Sequence, residues 1–222
     1  MGLYEQLSLA LKEENRGLAM ELCLTALDEK TISIMDLYQD ILSPALNSII
    51  QEYDGDEDNL IWKEHVRSGI IRGIIEASYP FVLKEAAEIG REMKESVIVM
   101  CPRYEEHEIG ARMVSDFYTI AGYKSTFIGA NTPEKTILKA IETIRPGIIS
   151  ISVTNYYNLV ALKKTIDEIK NNFNYPIKFV VGGYAFNKNI NAYKEVGADI
   201  QLKSFKDVLD LDKGVENSET SI

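Results

Sequence analysis

The sequence predicts an α/β protein: a bundle of about four helices, then a flavodoxin- or Rossmann-like, doubly wound, five-stranded parallel sheet. Three observations carry this. Helical periodicity alone fills residues 3–92. After Lys94 the period changes, and apolar runs of strand length alternate with helical stretches. The strongest of those runs are continuously apolar, as strands covered on both faces must be.

The helical half opens with Leu3, Leu7, Ala10 and Leu11 at helical spacing, and Gly17–Leu27 continues the pattern. Asp28–Lys30 breaks it. Thr31 or Ser33 can cap a next helix carrying Ile34, Leu37, Tyr38, Ile41 and Leu42. Pro44 kinks or restarts that helix, and Ala45, Leu46, Ile49, Ile50 and Tyr53 follow on one face. Asp54–Asn59 reads as an acidic loop. A long helix is expected from Leu60 to Tyr79, with another beginning at Pro80, a residue suited to a first turn.

In the second half the strand-like runs are Val97–Met100, Ser125–Ile128, Ile148–Val153, Ile177–Val181 and Asp199–Leu202. The helices expected between them are Glu106–Ala121, Pro133–Ile144, Leu159–Asn171 and Asn187–Glu195, with a last one at Phe205–Leu211. Right-handed crossovers then yield a doubly wound sheet. The organisation read from this is a helical cap over 1–92, a Rossmann-like domain over 93–212 and a mobile tail over 213–222.

Composition narrows the function. At 222 residues, 45% hydrophobic and 26% charged, the chain suffices for one large domain or two small ones. A net charge of -10 opposes binding to nucleic-acid phosphates. No apolar run of about 18 residues exists to span a membrane. The acidic start M-G-L-Y-E-Q-L does not read as a secretory signal. Cys23 and Cys101 are far apart and suggest neither a disulfide framework nor a zinc site, which fits a reducing cytoplasm.

The loops at the strands' carboxyl ends carry the chemistry, because ligands of open parallel sheets bind there. Strand one ends in C-P-R-Y-E-E-H-E-I-G, residues 101–110, which holds His107, one of two histidines in the chain. Strand two ends at Gly129-Ala130-Asn131, strand three in Ser152-Val153-Thr154-Asn155, and strand four at Gly182-Gly183. Taken singly, each has a plain reading. Ser152 and Thr154 are acceptable strand residues, the paired glycines an ordinary turn, and His107 a surface residue at a helix start. Topology brings all of them to one edge. There is no G-x-G-x-x-G and no P-loop. Neutral imidazole suits a borderline transition metal, and Glu105 can fix its tautomer. Gly110 is expected to let the following helix pack close beneath the loop. One histidine cannot build a zinc site, so a single protein ligand suggests a metal already held by a macrocycle.

On these residues the chain resembles the cobalamin-binding proteins that place a helical cap before a Rossmann-like domain. That family carries D-x-H-x-x-G, S-x-[LVT] and G-G at the first, third and fourth strand ends. Here E-E-H-E-I-G stands at 105–110, S-V-T at 152–154 and G-G at 182–183. Within the family the chain looks most like light-responsive adenosylcobalamin-binding regulators, through Glu105, Pro44-Ala45-Leu46, Glu64-His65-Val66-Arg67-Ser68, I-G-A-N-T-P at 128–133 and V-G-G-Y-A-F at 181–186. It is also related to the methionine synthase cobalamin module and to corrinoid methyl carriers.

The resemblance implies that cobalamin, as adenosyl- or methylcobalamin, binds base-off with His107 on cobalt. Ser152, Thr154, Gly182 and Gly183 would line a slot for its nucleotide tail. Tyr53, Glu64 and His65 would cover the upper face; alternatively, His65 bonds a neighbouring helix. Tyr53 stands near where those regulators have Trp, which leaves adenosyl or methyl open. No helix-turn-helix segment precedes the cap, so output would pass through a protein partner rather than DNA, with a homo-oligomer also possible. Three roles follow: a binding sensor, with or without a response to light and not itself an enzyme; a corrinoid methyl carrier for a methyltransferase; or a module for another tetrapyrrole or a protein. Methyl carriers usually show G-D-x-H-D-I-G-K, from which Tyr104, Glu105, Glu108 and Ala111 depart.

Overall fold

The computed structural model describes residues 1–48, 57–187, 189 and 191–211. The chain divides into two compact units, Met1–Ile89 and Gly90–Ile222. Tyr53, Ile49, Ile50 and the tail 213–222 lie outside the described residues.

The first unit is helical. It contains α1 (Leu3–Lys12), α2 (Arg16–Asp28), the single-turn α3 (Ile34–Asp36), a π-helical stretch (Leu37–Leu42), α4 (Ser43–Ser48) and α5 (Glu57–Ile89). Local chemistry sets these ends. Asn15 caps α2 by accepting from Leu18 N at 3.1 Å. Ser33 and Asp36 form a capping box on α3, and Glu85 of α5 accepts from Ile34 N at 2.9 Å. Leu7, Ala10, Cys23, Leu37, Tyr38, Leu42, Ile71 and Ile74 fill the core.

One expectation needs correction. The helices expected to meet at Pro80 are one 33-residue helix with Pro80 inside it. An interior proline costs about 3 kcal/mol. Ile70, Ile71, Ile74, Ile75 and Val82 are buried on both sides of it, each stabilising by roughly 1.5–3 kcal/mol, so packing outweighs the lost hydrogen bond. Pro44 restarts the helix as expected: it sits in the first turn of α4, which follows the π-helical stretch, and its missing N–H costs little there.

The second unit carries β1 (Ser96–Met100), β2 (Lys124–Phe127), β3 (Ile148–Ser152), β4 (Lys178–Gly182) and β5 (Ile200–Gln201). All pair in parallel, in the order β2-β1-β3-β4-β5. This is the flavodoxin-like arrangement, with its switch point between β1 and β3. The connecting helices are α6 (Ile109–Ile120), α7 (Glu134–Ile144), α8 (Leu159–Asn172), α9 (Ala192–Glu195) and α10 (Phe205–Asp210).

Alternation splits each strand between two faces. Ile98, Met100, Ile149, Ile151, Val153, Phe179 and Val181 form one core with Ile137 and Ile141 of α7 and Leu162, Ile166 and Ile169 of α8. The intervening strand residues face α6 and α10, whose Phe117 and Phe205 rings lie 4.5 Å apart. The helix expected from Asn187 begins only at Ala192. Asn189 Oδ1 takes the Asn191 N–H at 2.9 Å, a local turn that competes with helix.

Among the described residues no helix is long and apolar enough to cross a membrane.

Candidate functional site

The helix expected from Glu106 starts at Ile109, which leaves residues 101–108 as a loop at the carboxyl end of β1. Tyr104 is left-handed there (φ 72°), and Glu105 N donates back to Pro102 O at 3.1 Å. This turn drives the Glu105 side chain inward, where it is fully buried, and leaves the His107 ring 64% exposed.

Every bond Glu105 makes fixes something. Its Oε1 accepts from His107 Nδ1 at 2.5 Å and from His107 N at 3.2 Å. Its Oε2 accepts from Thr154 N, Asn155 N and Asn158 Nδ2, each at 3.0 Å. One carboxylate therefore ties the β1 loop to the β3 loop across the switch point. Burial works to raise the Glu105 carboxyl, but hydrogen bonds from Asn155, Asn158 and His107 outweigh it and hold the group below its ordinary value. An ionised carboxylate accepts the proton of Nδ1. The lone pair of the imidazole then lies on Nε2, at the exposed end of the ring. Cys101 Sγ donates to His107 O at 3.6 Å, and burial first, then Glu105, Glu108 and Glu106, pushes that thiol up to about 12. It stays a protonated spacer.

Ser152 and Gly182 are register partners on the β3–β4 pair and face the α6–α10 side. The Ser152 hydroxyl makes no hydrogen bond to the described residues. Thr154 enters the site through its backbone N–H. Gly183, expected to admit a ligand, is required by the protein itself: it is left-handed (φ 103°), and a Cβ there would stand 2.4 Å from Val153 O. Gly110 is the reverse case. A Cβ there would meet nothing within 4 Å, so helix packing does not need the glycine, contrary to the expectation above.

Glu64 and His65 lie on α5 in the helical unit, with His65 Nε2 3.7 Å from Glu64 Oε2 and both side chains open to solvent. Tyr53 lies outside the described residues.

Sequence reasoning missed Asn158 and the structural part of Asn131. Asn158 is buried and donates to both Glu105 Oε2 and Tyr104 O. Its only sequence signal was a polar residue six places after Ser152, just where α8 begins.

The residues present suit a metal-centred cofactor. An imidazole braced by a buried carboxylate stands in the loop at the carboxyl end of β1, the adjoining strand β3 ends in a serine whose hydroxyl makes no hydrogen bond to the described residues, and Gly110 borders open space. Among the described residues no three His, Cys, Asp or Glu gather to hold a bare ion. This defines a flavodoxin-like protein whose β1 loop presents one histidine braced by a buried carboxylate. The chain belongs to the B12 binding domain family, which it matches over residues 95–210, and it binds cobalamin. Trimethylamine corrinoid protein 1 of Methanosarcina mazei is 29% identical over 106 residues, which are 46% of this chain and 47% of that protein. The match thus spans about half the length of that relative. The monomethylamine corrinoid protein of Methanosarcina barkeri superposes with a TM-score of 0.74 at 16% identity, over 95% of this chain and 96% of the other. A chain of the methanol:cobalamin methyltransferase complex of Methanosarcina barkeri does so at 0.50 and 19% identity, over 99% and 81%. At such identities these two likenesses speak for the fold alone.

Proposed function

We propose that this chain is a corrinoid methyl carrier that holds cobalamin base-off, with His107 Nε2 as the lower ligand of cobalt. The observation that carries the reading is the Glu105–His107 pair: a fully buried carboxylate on Nδ1, with Nε2 turned outward. When bound, the corrinoid supplies a cobalt centre that accepts and gives up a methyl group. The chain's own part is to bind and orient. Glu105 fixes the tautomer and aim of the ring. Ser152 and Gly182, paired at the carboxyl ends of β3 and β4, would hold the nucleotide tail, and Gly110 leaves room beside the loop. Similarity to the Methanosarcina mazei corrinoid protein supports the carrier role, and methyltransferases that load and unload the cofactor are the expected partners.

A second reading, a light-responsive cobalamin sensor, is favoured by Glu105 in place of Asp and by Pro44-Ala45-Leu46 and Glu64-His65-Val66-Arg67-Ser68 in the helical unit.

Visible absorption of the protein with methyl- and adenosylcobalamin tests the ligand. A base-off/His-on spectrum that His107→Ala abolishes is expected; a spectrum indifferent to His107→Ala sinks the assignment. Methyl exchange with a corrinoid methyltransferase supports the carrier. Light-dependent change of assembly in the adenosyl form, without methyl exchange, would favour the sensor.

A further inference from the structure

Resting on His107 as the cobalt ligand, we propose that Asn131, in the loop after β2, is a positioning residue for that ligand. It clamps the three residues that precede His107. Asn131 Oδ1 accepts from Tyr104 N at 2.9 Å, Asn131 N donates to Glu105 O at 2.9 Å, and Asn131 Nδ2 donates to Glu106 Oε1 at 2.7 Å. Residues 104, 105 and 106 are thus each held by a different group of one side chain and its own backbone.

The need for such a clamp is local. Tyr104 is left-handed (φ 72°), a conformation that bulky residues adopt only when their neighbours hold them. Its N–H ends on Asn131, and its carbonyl on Asn158. Asn131 is left-handed as well (φ 47°), and asparagine tolerates that region better than most residues. A residue with a longer or branched side chain would not present an acceptor to Tyr104 N while its own N–H serves Glu105 O.

The Glu105 carboxylate sets the rotation of the imidazole, but it can only do so from a fixed backbone. Its two anchors come from opposite sides. The β3 loop holds the carboxylate through Thr154, Asn155 and Asn158, and the β2 loop holds the main chain through Asn131. A metal ligand must stand within roughly 0.5 Å of its working position, and one anchor leaves the loop free to pivot about the other.

Asn131→Gly is the informative variant. It keeps the left-handed backbone and the N–H to Glu105 O, and it deletes both side-chain bonds. Because Asn131 is exposed, the urea midpoint should match the parent. In the ligand-free protein, amide exchange at Tyr104 should quicken about tenfold, with the strand amides unchanged. With methylcobalamin, affinity should fall about five- to tenfold and the His-on fraction with it. Asn131→Asp keeps an acceptor for Tyr104 N and should recover part of the Tyr104 protection. A His107-dependent spectrum, affinity and exchange rate that Asn131→Gly leaves intact overturn this proposal alone. A wild-type spectrum that His107→Ala does not alter overturns both readings.

Discussion

The chain's two histidines stand beside glutamates, and they differ in everything else. In the helical unit, His65 neighbours Glu64 on α5 at 3.7 Å, with the ring 72% exposed and the carboxylate in water. In the α/β unit, His107 meets Glu105 at 2.5 Å, and that carboxylate has no exposed surface. A solvated ion pair of the first kind contributes little and fixes no geometry. A buried carboxylate with five donors cannot move without leaving them unsatisfied, so it transmits the rigidity of the sheet to the ring. A Glu-His pair in sequence therefore does not by itself fix the ring. The ring is fixed where the carboxylate is buried.

Glu105→Ala should have the largest effect. It strands Thr154 N, Asn155 N and Asn158 Nδ2 without an acceptor, and loss of about 3 kcal/mol in urea unfolding is expected. A loss under about 1 kcal/mol would break the contrast with Glu64. Ser33→Ala offers a control with a carboxylate in the helical unit. The Ser33 side chain and backbone N–H hold Asp36 below its ordinary value. Stability from this cap is present above the ordinary aspartate range, near pH 3.9, and is lost as pH falls through the depressed value. The variant should lose about 1 kcal/mol at pH 7 and somewhat less in acid, where Asp36 is protonated in both proteins but the bond from Asp36 N to Ser33 Oγ is still missing in the variant. His107→Ala should cost no more than about 1 kcal/mol in the ligand-free protein, because the ring is mostly exposed, yet it should remove the His-on spectrum. His65→Ala should change stability by less than about 0.5 kcal/mol and leave that spectrum intact. Smallest of all, a thiol reagent at pH 8 should label neither cysteine of the native protein. Burial holds both Cys23 and Cys101 up to about 12.

Much of this was legible in the sequence, and the reasons are physical. Continuous apolar runs marked β1, β3 and β4 to within a residue or two, because a strand covered on both faces has no polar alternative, and the edge strands β2 and β5 were placed as closely by their spacing between helices. His107 and Glu105 could be paired because they lie two residues apart in one loop. Asn158 and Asn131 could not, since neutral side chains that reach 53 and 27 residues along the chain leave no local pattern. Pro80 misled because the penalty of an interior proline is local, while the compensating burial of Ile70, Ile71, Ile74, Ile75 and Val82 is tertiary. The glycines misled in both directions. Gly183 answers to the backbone of β3, whereas Gly110, expected to serve packing, borders empty space.

The Glu105 carboxylate also sets a clock. Its partners Thr154, Asn155 and Asn158 lie 49, 50 and 53 residues further on. At ribosomal speeds of about 5–20 residues per second, roughly 3–10 seconds separate the synthesis of Glu105 from that of Asn158. For that interval the carboxylate has only water and its own histidine. The brace closes when the β3 loop docks, so a nascent chain gains an aimed imidazole only after the central part of the sheet has assembled.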